Sequence, residues 1–125
     1  YGNDQFMAWR RSFDQPPPVI EKDGEWRQFN DPRYADIPSS QRPLTECLKD
    51  VVARMIPYFE SAITDDLKAG RTVLVAAHGN SLRALIMDLE QMSGDEIIKT
   101  ELATGVPIVY KIDENGKVSD KQILK

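Results

Sequence analysis

From residue 45 to residue 70 the apolar positions recur at intervals of three and four. Leu48, Val51, Val52, Met55, Ile56, Phe59, Ala62 and Ile63 then share one stripe, the pattern of an amphipathic helix packed on a core. Thr45 stands where an N-cap is needed, and Lys68-Ala69-Gly70 supplies a basic last turn and a glycine stop. Pro57 lies inside the stripe and removes one backbone donor, so a kink is expected there. The pattern then changes. Thr72-Val73-Leu74-Val75-Ala76-Ala77 is continuously apolar and rich in β-branched residues, which predicts a strand covered on both faces, as in a parallel sheet. His78-Gly79-Asn80 forms the turn at its carboxyl end. Ser81 is placed to cap the next helix, whose stripe is Leu82, Leu85, Ile86, Leu89 and Met92. Ser93-Gly94-Asp95-Glu96 opens a shorter helix reaching about Lys99. Pro107 to Ile112 and Val118 to Leu124 read as two strands of a hairpin, turning through the two residues Asn115-Gly116.

The first third of the chain is organised differently. Asn3 to Phe13 reads as a short helix with Asn3 as N-cap, stopped ahead of Pro16-Pro17-Pro18. Residues 14–43 show little periodicity but carry the turn signals Asp23-Gly24 and Asp31-Pro32 and the aromatics Trp26, Phe29 and Tyr34. Segments of this length without regular structure are uncommon in compact domains and usually serve as functional loops or linkers. Three aromatics favour an ordered functional loop.

The resulting order is helix, long loop, helix, buried strand, helix, helix, hairpin, an α/β layout with too few strands. A doubly covered parallel strand needs parallel neighbours, and the other two strands are already paired with each other. The sheet therefore reads as half of a larger one. The chain also starts at Tyr1 rather than Met, which suggests processing, truncation or missing upstream residues.

Its 125 residues suit one domain with a core, and the net charge of −4 disfavours general binding to nucleic acid or to a membrane surface. No apolar run approaches the roughly 20 residues of a membrane span. One cysteine, Cys47, excludes an internal disulfide and any multi-cysteine zinc site. With no export signal recognised, these features point to the cytoplasm. The single histidine, His78, excludes any mechanism that draws two histidines from this chain.

His78 stands at the sharpest feature. Ligands of open α/β sheets bind beyond the carboxyl ends of strands, and the amides opening the next helix form a ready anion site. Gly79 permits close backbone approach, Asn80 adds a side-chain donor, and His78 can donate a hydrogen bond or a proton to a phosphoryl group. Arg10 and Arg11 offer forked donors for phosphate or carboxylate. Neighbours on a helix diverge by about 100°, so both can meet one ligand only if the helix ends there. Composition alone leaves them as solvated charges. Cys47 has no histidine beside it and reads as structural, and carboxylates such as Asp65, Asp66 and Glu90 lack metal-ligand spacing around His78.

Ala76-Ala77-His78-Gly79-Asn80-Ser81-Leu82-Arg83-Ala84-Leu85 resembles the second histidine motif of the cofactor-dependent (2,3-bisphosphoglycerate-dependent) phosphoglycerate mutases of the histidine phosphatase superfamily. Trp9-Arg10-Arg11-Ser12-Phe13-Asp14 with the proline run resembles their double-arginine segment. Asp31-Pro32-Arg33-Tyr34, Pro43-Leu44-Thr45-Glu46-Cys47-Leu48 and Thr104-Gly105-Val106-Pro107 follow in family order. The resemblance implies a three-layer α/β sandwich of which this chain is the second half, with residues 14–43 as a functional loop.

It also implies interconversion of 3-phosphoglycerate and 2-phosphoglycerate through a phosphohistidine, primed by 2,3-bisphosphoglycerate, with no metal. Arg10 and Arg11 would hold substrate phosphate or carboxylate, Gly79 and Asn80 the transferring phosphate, and His78 would be the second histidine. The expected partners are a small phosphorylated substrate and further copies in a homo-oligomer, with no nucleic acid and no membrane. The family's nucleophilic Arg-His-Gly motif and its Glu-Arg-His-Tyr motif are absent, so the chain alone is expected to be inactive. A histidine-type phosphatase and a non-catalytic phosphoanion-binding fragment are the alternative readings.

Overall fold

A computed structural model describes residues 1–21 and 31–124. Helix α1 spans Asn3–Arg11, α2 Leu48–Tyr58, α3 Thr64–Lys68, α4 Gly79–Leu89 and α5 Gly94–Ile97; strands β1 (Ile108–Ile112) and β2 (Val118–Ile123) close the chain. Two turns of 3₁₀ helix, Pro32–Tyr34 and Ser39–Gln41, lie within the long loop. Its Asp23-Gly24, Trp26 and Phe29 fall outside the described residues. Asp31 caps the first of these turns, accepting from the Arg33 amide at 2.9 Å and from its guanidinium. Those bonds hold the Asp31 carboxyl at about 2.

The core forms where α2 crosses α4. Leu48, Val51, Ala84, Ile86 and Ile97 are buried together, flanked by Phe13, Met55, Leu102, Ile108 and Tyr110. The predicted stripe of α2 thus reaches the core through its first turns. Past Pro57 the helix does not break; it widens into a π turn over Phe59–Ile63 and resumes as α3. A proline removes the amide that would bond four residues back, and a wider turn lets the following amides find other carbonyls.

Several helix caps differ from expectation. Gly2 rather than Asn3 precedes α1, and His78 rather than Ser81 precedes α4. Cys47, not Thr45, caps α2, where its amide and its thiol both donate to Asp50, at 2.9 and 3.0 Å. Thr45 instead donates its hydroxyl to the Pro17 carbonyl at 2.6 Å, tying the proline run to the entrance of α2. Ser93 does cap α5, in a reciprocal pair with Glu96.

Burial and the bond to Asp50 raise the Cys47 pKa, despite its place at a helix start. The thiolate fraction at pH 8 is then smaller than that of an exposed cysteine. Alkylation of native protein by iodoacetamide at pH 8 should run at least about tenfold slower than that of free cysteine, followed by intact mass. Reaction at the free-cysteine rate would contradict the assignment of this thiol as structural.

The hairpin forms as expected but turns differently. Asp113 and Lys117 close it through a backbone bond of 2.8 Å, leaving three residues in the loop, with Gly116 at φ +80. The Asp113 carboxylate accepts from the Asn115 and Lys117 amides, at 2.9 and 2.8 Å, and so fixes the wider turn. Behind it, Glu90 of the α4 C-cap accepts from the Tyr110 hydroxyl and from Lys121 Nζ at 2.6 Å, joining both strands to α4.

The largest departure is Thr72–Ala77. Among the described residues it joins no helix and no sheet, and the only ladder is β1 with antiparallel β2. Val73 and Val75 are partly covered, whereas Leu74 is 90% exposed. Double coverage is therefore not achieved among the described residues. The apolar pattern asks for neighbours that the described residues do not provide.

Candidate functional site

Three local devices bring the expected residues together. First, α1 ends at Arg11 because Ser12 leaves helical conformation, at ψ 161, while its amide still bonds to the Ala8 carbonyl at 2.9 Å. The last turn thus presents Arg10, exposed, beside Arg11, partly buried. Second, Phe13 anchors that turn. Its carbonyl accepts from the Lys49 amide of α2 at 2.8 Å. Its ring presses on Gly94 so closely that a Cβ there would lie 2.9 Å from ring carbons. Gly94 is thus the residue that admits the ring.

Third, His78 caps α4 in extended conformation, its carbonyl accepting from the Leu82 amide at 3.0 Å. The amides of Gly79, Asn80 and Ser81 open the helix with no intrahelical acceptor, where the helix dipole favours negative charge. Since Ser81 is inside the helix, the candidate anion-binding turn begins three residues earlier than a Ser81 cap would place it.

Arg10, Arg11, His78, Gly79 and Asn80 all line one open cleft of about 530 Å³. Arg83, Thr100, Glu101 and Leu102 complete its wall. None of the Arg10, Arg11, His78 and Asn80 side chains bonds to another described residue, so their donors are free for a ligand. The guanidiniums are not neutralised by any described carboxylate within salt-bridge distance. The site can therefore bind a compact anion carrying more than one negative group, with forked donors on one side and helix-opening amides on the other.

Arg83 was not singled out from the sequence as a site residue. It is 6% exposed, and it donates Nε and Nη2 to the carbonyls of Ile97, Ile98 and Thr100. Burial, and then the Arg11 charge, lower its pKa, with Glu101 opposing them. The available signal was one cation inside the apolar run from Leu82 to Met87. Among the described residues, no cluster of three or more His, Cys, Asp and Glu side chains gathers as a metal site would require. No described helix is long and apolar enough to cross a membrane.

Comparison with known proteins bears on the chain as a whole. The family model for the histidine phosphatase superfamily (branch 1) matches residues 11–122. The chain belongs to that superfamily. A 2,3-bisphosphoglycerate-dependent phosphoglycerate mutase from Cutibacterium acnes is 62% identical over 117 residues, covering 94% of this chain and 47% of the relative. Relatives of the same name from Leifsonia xyli and Mycobacterium tuberculosis are each 58% identical, covering 47% and 45% of their own lengths. The chain thus spans about half the length of the curated relatives it matches. For a histidine phosphatase domain, the α/β character is shared, and the small two-stranded sheet fits a chain of half length.

Proposed function

We propose that this chain is the C-terminal half of a 2,3-bisphosphoglycerate-dependent phosphoglycerate mutase and supplies the anion-holding half of its active site. The observation that carries the reading is the meeting of Arg10, Arg11, His78, Gly79 and Asn80 in one cleft, with four side chains that bond to no partner among the described residues. The identity to proteins of that name supports the substrate class, 3- and 2-phosphoglycerate.

In this reading Arg10 and Arg11 grip a phosphate and a carboxylate through forked, charge-assisted bonds. The Gly79 and Asn80 amides and the Asn80 side chain hold the oxygens of the phosphoryl group in transit. His78 donates to that group as charge builds on it. Phosphoryl transfer is catalysed mainly by positioning and charge neutralisation, which suits a cage of this composition. The cofactor 2,3-bisphosphoglycerate carries the phosphoryl group that primes the enzyme, and the same unneutralised donors fit its polyanionic character. No metal takes part. Residues 14–43 act as a functional loop of a single domain, and Thr72–Ala77 lies inside a three-layer sandwich completed outside this chain. The active form is a cytoplasmic homo-oligomer.

The test is steady-state kinetics in the complete protein, following 2-phosphoglycerate through enolase and, in parallel, release of free phosphate. The reading expects isomerisation to dominate; phosphate release without isomerisation would make the protein a phosphatase instead. Replacing Arg10 or Arg11 by Lys keeps the charge but removes the fork. KM should rise about tenfold, the equivalent of roughly 1.5 kcal/mol for a bond to a charged group. A change within about 0.5 kcal/mol is what solvated surface charge would give.

A further inference from the structure

We infer that Arg83 is a positioning residue: its guanidinium locks the Thr100–Leu102 wall of the cleft to α4, and so sets the cleft width that the anion meets. This inference rests on the reading of the cleft as the substrate site. Arg83 lies one turn into α4, behind the His78-Gly79-Asn80 opening. Its Nη2 reaches Ile97 O at 3.0 Å, Ile98 O at 3.1 Å and Thr100 O at 2.7 Å, while Nε reaches Thr100 O at 3.1 Å. The acceptors belong to the end of α5 and the residues just after it, whose carbonyls have no further helix to bond to.

Three N–H groups of one rigid plane make these four bonds, one N–H being shared, and fix the direction of the segment as well as its distance. That segment continues directly into Thr100, Glu101 and Leu102, three of the residues on the cleft wall. Arg83 differs from the other cleft cations in this respect. Arg10 and Arg11 have no described partner, whereas Arg83 is buried and committed to backbone carbonyls. Glu101 gives the lock a second consequence. It is the one carboxylate among the lining residues, in a cleft otherwise cationic, and it interacts with the Arg83 charge. Holding Thr100 in place holds Glu101 at a set distance from the anion. Loosening the lock would let a negative charge move within the site.

Lysine at this position keeps the charge but offers one nitrogen, which cannot span three carbonyls in a fixed plane. In the complete protein, R83K should raise KM for 3-phosphoglycerate about tenfold while kcat stays within about twofold, since the opening turn of α4 is untouched. The matched control is I97V, which trims a fully buried side chain and leaves the Ile97 carbonyl in the lock. It should lower the melting temperature but leave KM unchanged. Wild-type KM in folded R83K, or an equal rise in I97V, would overturn the inference and leave Arg83 as a purely structural residue.

Amide hydrogen exchange on wild-type protein covers the case in which R83K does not fold. Inorganic phosphate should slow exchange at residues 79–81 and at residues 100–102 together. Protection of the first group alone would mean that the wall is not part of the site, and would overturn the inference. If the wild type shows no mutase activity, yet phosphate protects both segments and R83K weakens phosphate binding about tenfold, the mutase reading fails and the role of Arg83 stands.

Discussion

The purified 125-residue chain is expected to form no detectable 2-phosphoglycerate from 3-phosphoglycerate, with or without 2,3-bisphosphoglycerate. The reason is chemical. Its one histidine caps α4 and no second imidazole exists in the chain, so a phosphohistidine relay using two histidines cannot be assembled from it. The cleft offers donors, which neutralise charge and orient an anion, but electrostatic stabilisation needs a nucleophile to act upon. The measurement is an enolase-coupled assay at high protein concentration, with the complete protein as positive control. Turnover by the pure chain at the rate of the complete protein would show that the nucleophile lies within these residues. Co-folding with a separately made first half should restore activity if the two halves complement one another.

In the complete protein, His78→Ala should lower kcat by about 10², the effect of removing one well-placed donor to a developing oxyanion. The imidazole has no partner among the described residues, so truncation to alanine leaves no buried group unsatisfied. Stability should accordingly change little, which separates this variant from one in the core. KM should move less than kcat, because in the proposed site the arginines and amides remain to hold the ground-state anion. Folded H78A with unchanged turnover would remove His78 from the chemistry and leave the cleft as an anion-binding surface.

The sequence made the site more legible than its surroundings. A strand-like run into His-Gly-Asn suggests an anion-binding turn from local chemistry alone, and Arg10 and Arg11 line the same cleft as that turn. That meeting depended on α1 ending at Arg11, which the approaching prolines signalled. Arg83 was hidden because its value lies in the carbonyls of a segment fourteen to seventeen residues away, which no local pattern announces. The caps slipped for a related reason: Thr45 and Cys47 can both cap, and the Pro17 carbonyl claims the threonine hydroxyl. At the hairpin, Asn115-Gly116 correctly marked the reversal, but the Asp113 carboxylate selected a wider turn than the dipeptide alone suggests. For Thr72–Ala77 the pattern stated a need for covering partners without saying where they reside.

That unpaired apolar segment also bears on how the chain behaves in bulk. It carries no charge and no proline, five of its six residues are apolar, and its backbone donors and acceptors meet no described partner. Such a window can add edge to edge to another copy of itself, the arrangement from which cross-β aggregates grow. The side-by-side pairing left unmade among the described residues becomes a hazard between molecules. For this chain in isolation, colloidal lifetime rather than unfolding would then set the usable concentration. A charged residue in place of Leu74, which is 90% exposed, would act as a gatekeeper for the isolated chain. The same substitution would penalise any assembly in which that strand is covered.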